Sequence, residues 1–190
     1  MVEPIGLIAG QGRLPLLEAN GIRAAGRSVA CVGLAGQFNT ELPGHCDQFA
    51  TAGWIRLGRW IRLLRRWGAR EAVLVGAVQK TRMYQPMRLL RQLPDWRAAK
   101  LWYRILRYDK RSQTVLHALA GELRRGGIEL IDTTRFIPEQ IAGVGVLTRC
   151  RPSAAQQADI EFGWPILMRM NDLDLGQAIA VKERNVIAVE

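Results

Sequence analysis

No apolar run in this 190-residue chain approaches the ~18 residues that a membrane-spanning helix needs. Cysteine is scarce. Cys31, Cys46 and Cys150 are odd in number and form no CxxC pair, so neither a disulfide framework nor a zinc framework is expected, and a reducing cytoplasm fits. Histidine is scarcer, with only His45 and His117. His45-Cys46 supplies two metal-type ligands without a second pair, and both histidines read as structural. GxSxG, HExxH and P-loop signatures are absent. The opening MVEPIGLIAG has no basic flank and no small-residue cleavage site, so it does not read as a secretory signal.

Acidic residues are missing where basic ones gather. Between Arg56 and Arg111 stand 13 Arg and 3 Lys against 3 acidic residues, while the chain as a whole carries +10. A field this concentrated attracts anions: a nucleic acid, an anionic membrane or a phosphorylated ligand. At 48% hydrophobic residues, the chain can also bury a core.

Short apolar runs alternate with helical patterns. Residues 5–9, 29–34, 72–78 and 128–131 read as buried strands, and 14–25, 57–67 and 113–125 as helices. This alternation predicts an α/β fold: a Rossmann-like parallel sheet with helices on both faces. That domain is expected over 1–136. Residues 137–157, rich in glycine, proline and small polar residues, read as a linker. Residues 158–190 offer one helix, 159–170, interrupted or delayed by Pro165, and two strands, 179–182 and 186–189, around the turn Glu183-Arg184-Asn185. A helix and one hairpin do not make an independent core, so this piece reads as the incomplete start of a second α/β domain, truncated at Glu190. Its unpaired strand edge would suit pairing between chains, a homo-oligomer.

Several stretches could carry chemistry. Gly10-Gln11-Gly12 links the first strand to the helix opened by Leu14, where backbone N–H groups can hold a phosphate. The dinucleotide fingerprint fails, because Pro15 stands where its third glycine should be and no acidic residue closes the second strand. A plain tight turn is the other reading. Gln79 and Lys80 follow the third predicted strand, where ligands of open α/β sheets bind, or are ordinary loop polarity. Asp109 is a ligand contact or a charge favoured by the helix dipole. Asp174 and Gln177 flank Gly176 before a strand, as a ligand-orienting or cation-binding pair or as a simple turn. In 54–67, Trp54, Leu57, Trp60, Ile61, Leu64 and Trp67 share one side of a helical wheel, opposite Arg56, Arg59, Arg62, Arg65 and Arg66. That helix either packs on the sheet with a solvated arginine face or meets anionic lipid. Trp96 and Trp102, among Arg97, Lys100, Arg104 and Arg107, suit a membrane interface or a nucleic acid.

Taken in order, GLIAGQGRLP, LVGAVQK, DIEFGWPI, DLGQAIAV and VIAVE resemble the LpxI type of UDP-2,3-diacylglucosamine pyrophosphatase over nearly the whole chain. The resemblance implies a lipid A pathway hydrolase, cytoplasmic and peripheral to the inner membrane. Such an enzyme cleaves the diphosphate of UDP-2,3-diacylglucosamine to UMP and 2,3-diacylglucosamine 1-phosphate with a divalent cation, Mg2+ by expectation. It implies a ligand held between an N-terminal Rossmann-like domain and a C-terminal domain. Gly10, Gln11, Gly12 and Leu14 would lie on one side with Gln79, Lys80 and Asp109, and Asp174 and Gln177 on the other. The anionic membrane would be met through 54–111. This sequence departs from the family pattern at Gln11, usually glycine, and at KTRMYQP, where an arginine–proline pair usually follows the third strand. The family also continues into an acidic Gly-Thr-Asp stretch and a later catalytic aspartate that these 190 residues lack, so no catalytic residue is assigned. Two rival readings stay open. One is a basic α/β nucleic-acid-binding protein; the other is a non-catalytic ligand-binding or assembly module.

Overall fold

A computed structural model describes residues 2–78, 95–108 and 112–190. The chain divides into two compact units, Met1–Ile141 and Ala142–Glu190. In the first, β1 (Ile5–Ala9), β2 (Val29–Leu34), β3 (Gln48–Ala52), β4 (Glu71–Val75) and β5 (Glu129–Leu130) form one sheet in the order β3-β2-β1-β4-β5. Every neighbouring pair in it is parallel. The strands β1 and β2 are buried along their whole length, as expected of strands covered on both faces.

Helices pack on both faces. On one, α1 (Leu14–Ala24) places Ala19 and Ile22 against Ile5, Leu7, Val29, Cys31 and Val73. On the other, α2 (Leu57–Arg66) and α4 (Ser112–Arg125) bring Leu57, Trp60, Ile61, Leu64 and Leu123 against Ile8, Ala30, Val32 and Ala72. The alternation of Leu7 and Ile8 between the two clusters is the two-residue period of a strand. The expected α/β fold, Rossmann-like with helices on both faces, is thus the one observed.

The apolar side of α2 is core. Trp60 is buried and its indole N–H donates to the Gly53 carbonyl at 2.9 Å, while Arg59, Arg62, Arg65 and Arg66 face outward. No side chain of its own caps α2. Asp95 does so from a distance. Its Oδ2 accepts the Gly58 N–H at 2.5 Å and the Arg59 N–H at 3.3 Å. Its Oδ1 accepts the Ala98 N–H at 3.0 Å and so also caps α3 (Trp96–Leu101). One carboxylate satisfies amides at two helix starts, where the helix dipoles favour negative charge.

Three expectations need correction. The strand expected over 72–78 ends at Val75, because Gly76 turns the chain with φ +98°. Strand β3 was not expected at all. Its half-exposed QFATA has weak alternation, and it is held as an edge strand by pairing with β2. In the second unit, α5 (Ala154–Asp172) begins inside the stretch read as linker and runs through Pro165. Ser153 and Gln156 close a reciprocal capping box at its start, with Ser153 Oγ accepting the Gln156 N–H and Gln156 Oε1 accepting the Ser153 N–H. The helix lies on an antiparallel hairpin of β6 (Ile179–Lys182) and β7 (Asn185–Val189). Glu183 and Arg184 turn that hairpin with φ of 54° and 56°, a conformation that neither side chain favours. Asp159 holds them there, accepting the Glu183 N–H at 3.2 Å and the Arg184 N–H at 2.6 Å.

Candidate functional site at the carboxyl end of the sheet

The strand order reverses direction at β1, whose neighbours β2 and β4 lead away to opposite edges. Ligands of open α/β sheets bind at such a point, outside the carboxyl ends of the strands. Here the turn after β1 meets the turn after β4. The Gly10 N–H donates to the Val75 carbonyl at 2.8 Å. Gln11 and Ala77 exchange both backbone bonds, at 2.8 and 3.0 Å. A Cβ on Gly10 would stand 2.7 Å from the Ala77 carbonyl oxygen, closer than any side chain can sit. Gly10 is therefore fixed by the approach of two backbones.

Gly12 is different. Its φ is +105°, and a Cβ there would meet nothing within 4 Å. Among the described residues nothing fills the space beside it at the start of α1, and none of their side chains caps that helix. Pro15 has no N–H and Leu16 donates to the Arg13 carbonyl at 3.0 Å, so the start of α1 presents the Leu14 N–H and the positive end of the dipole, beside Gly12 and the Arg13 side chain. The chemistry this suits is an anion of phosphate size.

Four of the expected residues, Gly10, Gln11, Gly12 and Leu14, come together here. Gln79, Lys80 and Asp109 lie outside the described residues. Asp174 and Gln177 belong to the second unit. Asp174 ends α5 in the left-handed region, φ 54°, with the Leu175 N–H reaching back to the Met170 carbonyl at 2.9 Å. The Gln177 N–H donates to the Glu190 carbonyl at 2.6 Å, ahead of β6. Both backbones are used to shape the turn before the hairpin. Their side chains are partly exposed and exposed, respectively.

The basic segment is partly neutralised. Arg97 reaches Glu122 at 2.7 Å and ties α3 to α4, and Arg125, on α4 itself, reaches the same carboxylate at 3.0 Å. Arg107 stacks on the rings of Tyr103 and Tyr108, 4.0 and 4.3 Å from their centroids. Trp96, Trp102, Tyr103 and Tyr108 are all exposed. Among the described residues, no three His, Cys, Asp or Glu side chains gather as a metal ion would need.

One group escaped the sequence reading. Glu18 lies on the buried side of α1 with no solvent exposure, and neither carboxylate oxygen has a hydrogen-bond partner among the described residues. Burial, then the charges of Asp132 and Glu139, push its pKa from 4.5 up to about 7. The signal was available: Glu18 falls in the stripe Pro15, Glu18, Ala19 and Ile22, the spacing of a core-facing helix side.

Comparison with known proteins gives consistent matches. Residues 4–140 match the family model described as "LpxI N-terminal domain" and residues 143–190 match "LpxI C-terminal domain". A relative from Caulobacter vibrioides, "UDP-2,3-diacylglucosamine pyrophosphatase LpxI", is 29% identical over 190 residues. The match takes in 100% of this chain and 65% of that protein, so the chain spans about two-thirds of its relative's length. A crystal structure of UDP-glucose-4-epimerase from Stenotrophomonas maltophila, with NAD and formylated UDP-arabinopyranose bound, aligns over 68% of this chain and 36% of its own. Its TM-score is 0.41 at 14% identity, and the fold described above rests on the sheet order alone.

Proposed function

The chain belongs to the LpxI family, and from that premise we propose that it binds UDP-2,3-diacylglucosamine. We further propose that it is part of an enzyme hydrolysing that diphosphate to UMP and 2,3-diacylglucosamine 1-phosphate. The observation that carries the reading is the ordered match of both domain models, over 4–140 and 143–190. The site geometry supports it. The uncapped start of α1 behind Gly12 is suited to a phosphate of the substrate. The Leu14 N–H and the positive end of the helix dipole would face the oxygens, and Arg13 would add a positive charge at the mouth. Gly10 and Gly76 let the two turns close, so that the amides keep one orientation.

The divalent cation, Mg2+ by the family resemblance, finds no matching cluster among the described residues, and no step is derived through it. Asp174 and Gln177 are proposed as the second unit's contribution to binding, and Gln79, Lys80 and Asp109 as further contacts of the first. An acylated substrate has to be met at a membrane surface. The outward arginines of α2 suit a cytoplasmic protein peripheral to an anionic bilayer, each basic residue near the surface adding ~1 kcal/mol.

The test is direct. The chain is titrated with UDP-2,3-diacylglucosamine by calorimetry, with and without Mg2+, and UMP release is followed in parallel. Binding that Arg13→Glu weakens about tenfold supports the proposal; absence of binding overturns it. UMP release would place the catalytic group within these residues.

A second reading has its own observation, the exposed Trp96, Trp102, Tyr103 and Tyr108 interleaved with arginines. Such a surface suits stacking on single-stranded nucleic acid. It predicts an affinity for oligonucleotides that falls steeply with salt, and a flat salt response removes it.

A further inference from the structure

Buried carboxylates are ordinarily paired, because an isolated charge away from water is costly. Glu18 is not. Its side chain is fully enclosed, and both oxygens are without hydrogen-bond partners among the described residues. The segment that follows β5 lies over this part of α1. Ile137 is buried and Phe136 packs on the same apolar cluster as Ala19 and Ile22. The Phe136 carbonyl sits so close to Gly21 that no Cβ fits between them.

The charges that face Glu18 are both negative: Asp132, just after β5, and Glu139, in the 3-10 turn Pro138–Gln140. Among the described residues, no basic group stands among its charge partners. Asp132 accepts the Thr134 N–H and the Thr134 hydroxyl, each at 2.8 Å, and these bonds hold its own pKa below the ordinary value. The covering segment therefore keeps its negative charge while Glu18 is neutral. The same segment carries the chain out of the first unit at Ile141.

We propose that Glu18 is a proton-gated latch: protonated, it lets residues 132–141 close over α1, and ionised, it drives that segment open by desolvation and by repulsion from Asp132 and Glu139. The direction follows from linkage. The closed state holds the proton with a pKa of about 7, and the opened state returns Glu18 to about 4.5. The opening equilibrium then grows roughly tenfold per pH unit between about 4.5 and about 7, and levels off above.

The experiment is hydrogen exchange by mass spectrometry on the whole chain across that range, corrected for the intrinsic pH dependence of exchange. Peptides spanning 132–141 are compared with those of β1. The expected result is a steep rise in opening of 132–141 that levels off near pH 7, with its amides exchanging well ahead of those of β1. In Glu18→Gln, a neutral side chain of the same shape, the corrected opening is flat with pH. Equal slopes in the two proteins would overturn the proposal, as would a flat response in the parent. Exchange of 132–141 in step with β1 would mean global unfolding and would overturn it equally. Should Glu18→Gln not fold, Glu18→Met takes its place, and the parent's slope and its plateau still decide.

Discussion

The crossing of the β1 and β4 turns makes a quantitative prediction about two glycines that lie two residues apart. In Gly10→Ala the new methyl group would stand 2.7 Å from the Ala77 carbonyl oxygen and 2.9 Å from the Gly76 carbonyl carbon and oxygen. All are backbone atoms and none can rotate away. Overpacking of this kind costs about 1–3 kcal/mol. The alternative is to part the turns and lose the two Gln11–Ala77 bonds, at a net ~1 kcal/mol each. The loss is about 1–3 kcal/mol, and at ~3 °C per kcal/mol it lowers Tm by about 3–9 °C. Gly12→Ala meets no atom within 4 Å and carries only the strain of φ +105°, about 1 kcal/mol, or ~3 °C. Its methyl group enters the space in front of α1, so under the proposed function it weakens binding of the nucleotide sugar while moving Tm little. Thermal circular dichroism and calorimetric titration of the two variants separate these effects. A Gly10→Ala protein melting within about 2 °C of its parent would refute the close approach, and unaltered affinity in Gly12→Ala would refute the anion site.

Other perturbations follow from the same structure. Between about pH 4.5 and 7, wild-type stability falls as pH rises, because folded Glu18 binds its proton more tightly than the unfolded chain does. Urea denaturation should show Glu18→Gln gaining about 3 kcal/mol on the parent between pH 4 and pH 8, and parallel curves would contradict this. Asp95→Ala releases three amides at the starts of α2 and α3 and should cost about 2 kcal/mol. Asp95→Asn, which keeps an acceptor, should recover part of it in the same denaturation assay. Asp159→Ala leaves Glu183 and Arg184 in the left-handed region without their acceptor. It should loosen the β6–β7 hairpin by about 2 kcal/mol, visible as faster amide exchange in 179–189, which Glu183→Asn with Arg184→Gly should reverse.

The fully buried strands were legible because nothing polar interrupts them: β1 and β2 match the apolar runs residue for residue. The end of β4 was not, since Ala77 and Val78 are as apolar as the strand itself, and only the backbone of Gly76 and the bridge to Gln11 stop it. Pairing with β2 makes β3 a strand, and pairing leaves no mark in a sequence as small and mixed as QFATA. The start of α5 is written in Ser153 and Gln156, whereas Pro165, a residue that ordinarily breaks a helix interior, marks no break in it. Of the candidate site, the strand–turn–helix order placed Gly10 to Leu14 directly. The isolation of Glu18 could not be read, because Asp132 and Glu139, whose charges act on it, and Phe136 and Ile137, which pack against α1 at Gly21, are distant in sequence.

The burial of Trp60, Ile61 and Leu64 has a consequence for how α2 can meet a bilayer. A helix that lies within a membrane interface inserts its apolar side among the acyl chains, and that contribution is indifferent to salt. In α2 that side is already enclosed by the sheet, so only guanidinium groups remain to make contact. Adhesion through this helix would be wholly coulombic. It would reach only about 8 Å at physiological ionic strength, demand anionic headgroups, and reverse on addition of salt without any helix having to withdraw from the lipid.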